Sequence, residues 1–457
     1  MKELTLNQIA LWCGAPTAEE YNSVHVTGVY SDSREVQPGG LFIALPGEQV
    51  DGHDYLQQAA EAGAVAALVT HRTDAPLVQL CVPDTLRAYG ALAAGYRKLL
   101  GLHVIGITGS VGKTTTKEMM ACALEGTFKT FKSEGNHNNN LGLPMSIMGL
   151  DADTQVAVLE MGMNHFGEMA YLTNIARPDI AIITNIGTMH IEHLGSREGI
   201  LRAKLEILQG VPQRGVGVFN GDEPLLWNVH SDGGHKKYYY GIENKACDVI
   251  AENIEELDDG MRFRVRGLGQ NFELFVPVTG HHTVYNALAA VTTALLMDVK
   301  PEQLQKQLGR FQNTGMRQRV FEQNGVTIIE DCYNAGPESM EAALNVLENF
   351  KTKGRRIAVL GDMLELGNRS SAEHYRIGRL VAQKADMLFV YGAHSARIVT
   401  GAITGGMSPK NTEHFDTHED LAHMLKMRVK DGDVLLFKGS RGMKMERALS
   451  LFLKDEK

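Results

Sequence analysis

Residues 103–116 read HVIGITGSVGKTTT, and no other stretch constrains the chain as tightly. An apolar run, HVIGIT, meets a turn of small residues, and KTTTKEMMACALEG follows with helical character. A buried strand, a glycine loop and a helix in that order make a phosphate-binding loop. The glycines let backbone N–H groups face phosphate oxygens, and the helix N-terminus adds positive potential. Lys113 is then expected at the β and γ phosphates of ATP, and Thr114 at Mg²⁺. The strict spacing asks for glycine at 107, where this chain has Ile107, with Gly106 and Gly109 on either side. The bland alternative is a Gly-rich turn that binds no nucleotide. Strand, loop, Lys-Thr pair and helix all agree, which favours the nucleotide.

A loop of this kind sits in an α/β sheet, and the rest of the chain fits one. Alternating strand and helix patterns run through the first hundred residues, with strands at GGLFIALPG and AVAALVT. TLRAYGALAAGYRKLLG has helical spacing and stops at Gly101. Further strands are expected at QVAVLEMG and DIAIITNIG. Residues 246–276 read as a small antiparallel insert, and HHTVYNALAAVTTALLMD as a helix. A third α/β run has strands at VTIIED, RRIAVLGD, ADMLFVYG and DVLLFKG. The length, 457 residues, allows two to four domains of ordinary size. The divisions fall at 1–99, 100–314 and 315–457.

Composition sets limits on function. A net charge of −9 makes the chain a poor non-specific binder of nucleic acid. Five cysteines, odd in number and far apart, form no C-x-x-C pair, so neither a disulfide framework nor a cysteine zinc site is expected. No apolar run approaches a membrane span, and the start lacks the pattern of a secretory signal. These features point to the cytoplasm.

Other residues carry chemistry with an open alternative. Glu160 ends an apolar strand downstream of the loop, where a carboxylate can hold Mg²⁺ or simply face solvent. His190 and His193 have a zinc-like spacing, but no further Cys or His cluster supports zinc, and local capping is the usual reading. Lys204 has Ile200, Leu201, Ile207 and Leu208 at −4, −3, +3 and +4, which puts it on the apolar face of a helix. Such a lysine either snorkels or is buried for a reason. The asparagines of SEGNHNNNLGLP can bind a ligand or make a turn. Asp331 ends the strand VTIIED and can take ribose hydroxyls or cap a helix before Pro337. KGSRGMKMERAL offers Lys438, Ser440 and Arg441 to an anion.

In order along the chain, TGSVGKTTT, SEGNHNNNLGLP, EMG, TNIGTMHIEHLGS with RAKLEI, GHHTVYNALAA and EDCYNAGP resemble the Mur ligase family. Members make peptidoglycan precursors by ATP-driven amide formation. The match spans all three divisions. It implies a central P-loop ATPase domain with a parallel sheet, a Rossmann-like C-terminal domain and a smaller α/β N-terminal domain. SDSREVQPGGLFIALPGEQVDGHDY, EMGMNHFGEM, CYNAGPESM and VLGDMLELG resemble the branch that adds D-alanyl-D-alanine to UDP-N-acetylmuramoyl-tripeptide. Two positions depart from the family segment Asp-Asp-x-Tyr-Asn-Ala-Asn-Pro: Glu330 replaces its first Asp and Gly336 its last Asn.

The resemblance also implies roles. Gly109, Ser110, Val111, Gly112, Lys113, Thr114 and Thr115 hold ATP phosphates. Thr114, Glu160 and His190 lie near Mg²⁺, and Lys204 matches a lysine that becomes a carbamate. Asn286 and Asp331 match adenosine-contacting positions with Tyr333 nearby, and Arg317 approaches the phosphates as the C-terminal domain closes. Ser31, Ser33, Arg34, Gly47, His53 and Asp54 hold the UDP moiety, while Asn138 and Asn140 line the muramoyl-peptide path. Lys438, Ser440 and Arg441 complete the expected substrate contacts, in a chain expected to act as a monomer. Two competing readings are a regulatory P-loop NTPase and a folylpolyglutamate-synthase-like ligase.

Overall fold

The structure is a computed structural model that describes residues 1–47, 50–231, 234–313 and 315–454. The expected division at residue 314 lies outside them. Three mainly parallel sheets dominate, beside one short two-stranded antiparallel pair.

The central sheet has nine strands, and its organising strand is His103–Thr108. On one side lies Val156–Glu160, on the other Ile180–Ile183, both parallel to it. All three strands are apolar and buried on both faces, as a sheet covered by helices requires. From His103–Thr108 the chain passes first to Thr130–Lys132 and Val156–Glu160, then crosses to the opposite side for Ile180–Ile183. The carboxyl end of His103–Thr108 is therefore a switch point, where such sheets open a crevice for ligands.

The segment expected as a small antiparallel insert is antiparallel within itself and extends the far edge of this sheet. Val249–Leu257 pairs in parallel with Lys236–Gly241. Gly260–Gly267 and Gln270–Val276 then continue the same sheet as antiparallel neighbours. Helix His281–Leu296 packs against this sheet and against helix Lys113–Leu124. It is buried almost all round between Thr283 and Ala294, which explains its run of small and apolar residues.

The N-terminal sheet orders Gly28–Tyr30, Gly40–Ile43, Ala64–Val69 and Val78–Cys81 in parallel. Helix Thr85–Leu100 follows and ends at Gly101, whose φ of 64° is the left-handed cap that glycine favours. Its face of Ala88, Leu92, Ala93 and Tyr96 joins the same core as Ile147, Leu172 and Ile175 of the central unit. The Tyr96 hydroxyl donates to the Leu150 carbonyl at 2.9 Å. The first two units thus share one core across their junction.

The C-terminal sheet has six strands. Arg319–Gln323 is an antiparallel edge beside Val326–Asp331; then come Val434–Lys438, Arg356–Gly361, Met387–Tyr391 and Thr412–Phe415, all parallel. Separate apolar clusters fill its two faces.

Candidate active site

The phosphate loop takes its shape from backbone positions that only glycine fills easily. Gly109 has φ 153°, and a Cβ there would stand 1.9 Å from Thr184 Oγ1. Gly112 has φ 83°, and its Cβ would stand 2.7 Å from Asn286 Oδ1. The residues after strand Ile180–Ile183 brace the loop from beneath. Asn185 Oδ1 accepts from Ser110 N at 3.0 Å and Val111 N at 2.9 Å, and Thr184 Oγ1 donates to the Val111 carbonyl at 2.6 Å. Helix Lys113–Leu124 begins with no side-chain cap, which leaves the N–H groups of its first turn to an anion.

Lys113 folds over the loop, its Nζ 2.9 Å from the Gly109 carbonyl. Burial pushes its ammonium below the ordinary lysine value; Glu160 opposes the shift and Arg317 adds to it. Thr114 Oγ1 donates to Glu160 Oε2 at 2.6 Å, and Asn138 Nδ2 donates to Glu160 Oε1 at 2.8 Å. Glu160 is 2% exposed, and no cationic side chain lies within 4.0 Å of it among the described residues. A buried carboxylate so placed, beside a hydroxyl, is a set of hard oxygens suited to a divalent cation. No group of three or more His, Cys, Asp or Glu able to hold a metal occurs among the described residues. These two oxygen donors would therefore act together with ligand phosphates.

Lys204 lies in helix Arg197–Leu205, with Ile200 and Ile207 fully buried around it. The expected apolar face is real, although Ile207 and Leu208 belong to a following 3₁₀ turn. The side chain is 2% exposed and reaches the wall of the phosphate-loop cavity. It makes no hydrogen bond or ion pair among the described residues. Burial, then the nearby Lys113 charge, holds its amine well below the ordinary value.

These groups face one cavity of about 1200 Å³, walled by all three units. Ser110 to Thr115, Asn138, Asn140, Glu160, His190, Lys204 and Asn286 line it from the central unit. Arg317, Asp331, Tyr333 and Lys438 line it from the C-terminal side. The Arg317 guanidinium stacks 3.8 Å over the Tyr333 ring. Asp331 caps no helix: the following one starts at Pro337, with Gly336 as its N-cap residue. Its carboxylate instead takes the Lys438 ammonium at 2.5 Å, and the two residues are partners in the strand ladder.

The other expected anion contacts are committed to the fold. Ser440 Oγ donates to the Ala335 carbonyl and accepts from Leu364 N, and Arg441 pairs with Glu446 at 2.8 Å. Neither residue lines the cavity, and Lys438 arrives there already neutralised. His190 stands at the wall with φ 63°, its Nδ1 2.7 Å from Glu365 Oε2 of the C-terminal unit. Gly336 comes so close to the central unit that a Cβ would stand 3.0 Å from Met189 Cγ. The departure from the family's asparagine falls at this contact. Glu330 is buried and pairs with Arg319 at 3.3 Å.

The six N-terminal residues do not line this cavity: Ser31, Ser33, Arg34 and Gly47 lie on loops after the strands Gly28–Tyr30 and Gly40–Ile43, and His53 and Asp54 in the 3₁₀ helix Gly52–Tyr55. Ser33 Oγ donates to Gln58 Oε1 at 2.9 Å, and Arg34 is held by Asp32. His53 is buried between Asp51 Oδ1 at 2.6 Å and Thr70 N at 2.9 Å, and its ring stacks on His71 at 4.2 Å. Ser31 is half-buried, while Gly47 and Asp54 are exposed.

Sequence reasoning missed the brace of Thr184 and Asn185, and it missed Glu338. Glu338 reaches from the C-terminal unit to Thr188, whose N and Oγ1 both donate to its Oε1 at 2.9 Å. TNIGT was visible as a motif, but nothing local in it signals support from below or a partner from another unit.

Three family models match in order: Mur ligase family, catalytic domain, over residues 25–97; Mur ligase middle domain over 107–294; and Mur ligase, glutamate ligase domain, over 309–441. The chain is similar to the UDP-N-acetylmuramoyl-tripeptide–D-alanyl-D-alanine ligase of Bacillus subtilis, 40% identical over 93% of each chain. The Escherichia coli ligase of the same name is 34% identical, again over 93% of each. Among solved structures, MurF from Acinetobacter baumannii superposes with a TM-score of 0.91 at 31% identity, covering 100% of both chains. MurF ligase from Thermotoga maritima in complex with ADP gives 0.82 at 28% identity, over 93% of this chain and 97% of that one.

Proposed function

The chain belongs to the Mur ligase family, and we propose that it joins D-alanyl-D-alanine to UDP-N-acetylmuramoyl-tripeptide at the expense of ATP. The observation that carries this reading is a cavity that brings together a phosphate loop, the Thr114–Glu160 pair and a buried lysine with no partner among the described residues. A C-terminal wall of Asp331, Tyr333 and Arg317 faces them.

ATP lies with its phosphates on Gly109 to Thr115 and its adenosine toward Asn286, Asp331 and Tyr333. The terminal carboxylate of the tripeptide attacks the γ phosphorus; ADP leaves and an acyl phosphate forms. The amine of D-alanyl-D-alanine then attacks the acyl carbon. The nitrogen must be neutral to attack, and it gives up a proton as a C–N bond replaces the C–O bond and phosphate departs. Lys113 neutralises charge on the transferring phosphoryl group. Thr114 and Glu160 would hold Mg²⁺, which neutralises phosphate charge and orients the phosphoryl group. Lys204, whose amine is held below its ordinary pKa, would add CO₂ and lose a proton to give a carbamate, an oxygen donor suited to the same cation. His190 lines the same cavity, with its Nδ1 2.7 Å from Glu365 Oε2. The tripeptide path runs by Asn138 and Asn140, and the UDP moiety lies against Ser31, Ser33, Arg34, Gly47, His53 and Asp54. The C-terminal unit covers the cavity, which limits hydrolysis of the acyl phosphate by water.

We propose three domains, 1–99, 100–314 and 315–457; one large sheet in each supports the division. No helix among the described residues is long and apolar enough to cross a membrane. We assign the reaction to the cytoplasm, acting on free small-molecule substrates. Phosphate release with each substrate omitted in turn tests the reading. Turnover should need ATP, the muramoyl tripeptide and D-alanyl-D-alanine together. Equal turnover with ATP alone would instead make the chain a switch NTPase.

A further inference from the structure

Helix Pro337–Asn349 begins at the cavity, and Glu338 is in its first turn, where the helix dipole favours an anion. One carboxylate oxygen, Oε1, is fixed by two donors of Thr188 at 2.9 Å. The carboxyl lies flat on Gly187: a Cβ there would stand 3.0–3.1 Å from its carbon and both oxygens. Gly187 N in turn donates to Ser110 Oγ of the phosphate loop at 2.9 Å. The carboxylate is thus held in register with the phosphate loop, although it comes from a different sheet.

Its second oxygen, Oε2, is buried and has no hydrogen-bond partner among the described residues. No Lys, Arg or His nitrogen lies within 4.0 Å of the carboxylate among those residues either. A buried charged oxygen without a donor is costly, so this wall is incomplete until a donor arrives. The nucleotide and the reacting end of the tripeptide bring negative charge. The acceptor dipeptide brings an ammonium group and must come close to the phosphate loop.

We propose that Glu338 receives the ammonium group of D-alanyl-D-alanine on Oε2, while Thr188 holds the carboxylate in place through Oε1. The inference rests on the ligase reading above and deepens it. Glu338 binds and orients the acceptor; Thr188 acts through it as a positioning residue.

Glu338→Gln tests this, because a glutamine oxygen still accepts both Thr188 bonds while the charge is lost. The KM for D-alanyl-D-alanine should rise about tenfold or more, the size of a lost charge-assisted hydrogen bond. The KM values for ATP and for the muramoyl tripeptide, whose own side chain carries an amine, should stay within about twofold. An acceptor analogue with hydrogen in place of the ammonium group, used as a competitive inhibitor, should bind wild type and Glu338→Gln alike. Thr188→Val keeps the charge and loosens the hold, so it should lower kcat. A KM for D-alanyl-D-alanine unchanged in Glu338→Gln, or equal losses for dipeptide and analogue, would overturn the proposal. A larger rise in the muramoyl KM would do the same. A wild-type enzyme that ignores D-alanyl-D-alanine would overturn the ligase reading instead.

Discussion

Thr114 Oγ1 lies 2.6 Å from Glu160 Oε2, although the two residues are 46 positions apart. The strand ladder causes this: Ile107 of the phosphate-loop strand pairs with Glu160 of its neighbour, so both carboxyl ends open at one level. Two hard oxygens this close should share one cation. Thr114→Ala should raise the Mg²⁺ concentration for half-maximal turnover by roughly 10-fold or more, the size of effect that losing a supporting side chain has at a metal site. A titration of activity against Mg²⁺ reads this directly. An unchanged midpoint would separate Thr114 from the metal.

Lys113 is expected to matter to rate rather than to fold. Among the described residues its ammonium hydrogen-bonds only loop carbonyls, so it is free to turn toward a phosphate. Lys113→Ala should cut kcat by about 10²–10³-fold, as removal of one strong electrostatic stabiliser does elsewhere. The melting temperature should change little, because a buried cation with a lowered pKa adds no stability. Near-normal turnover in this variant would break the assignment of the loop.

The C-terminal unit is clasped to the central unit by His190 with Glu365, Thr188 with Glu338, and Asn349 with Glu256 at 3.0 Å. Glu365 is half exposed, so its pair with His190 is worth at most about 1 kcal/mol after solvent screening. Glu365→Ala should therefore shift the balance between open and closed forms by up to about fivefold. Small-angle scattering against an ATP analogue and muramoyl substrate should show compaction at correspondingly higher ligand concentration. Compaction at unchanged concentration would make this contact incidental.

The parts of the site legible in the sequence are those with a local cause. The phosphate loop announces itself because strand, glycines and helix are contiguous. Glu160 stands out at the end of an apolar strand, and Lys204 by its helical neighbours. What escaped depends on partners distant in the chain. Lys438 reads as a free cation, but its ladder partner Asp331 lies 107 residues away. Residues 246–276 show strand alternation without showing which sheet edge they extend. Arg319–Gln323 is largely exposed with a single neighbouring strand, so it carries little hydrophobic pattern. Glu338 looks like any acidic residue in a first helical turn until Thr188 is seen beside it.

Lys204 gives the sharpest prediction, because its burial has a sign that can be measured. Burial and the Lys113 charge hold its folded pKa well below the ordinary 10.5. Between that folded value and 10.5 the unfolded chain binds one more proton than the native chain. Stability therefore rises with pH through this window, and the full cost of burying the ammonium is felt below it. Lys204→Met removes the titrating amine, so its stability advantage over wild type should be largest at low pH and fade as pH rises. Denaturant melts of the ligand-free proteins across neutral and alkaline pH measure that difference. The neutral amine is also the form that takes up CO₂. Lys204→Ala should lose most activity while staying folded, and short carboxylic acids should restore part of it by supplying oxygens. Lys204→Arg should not recover, because a guanidinium cannot form the carbamate. A fully active Lys204→Arg enzyme, with a stability difference that does not vary with pH, would leave this lysine as packing alone.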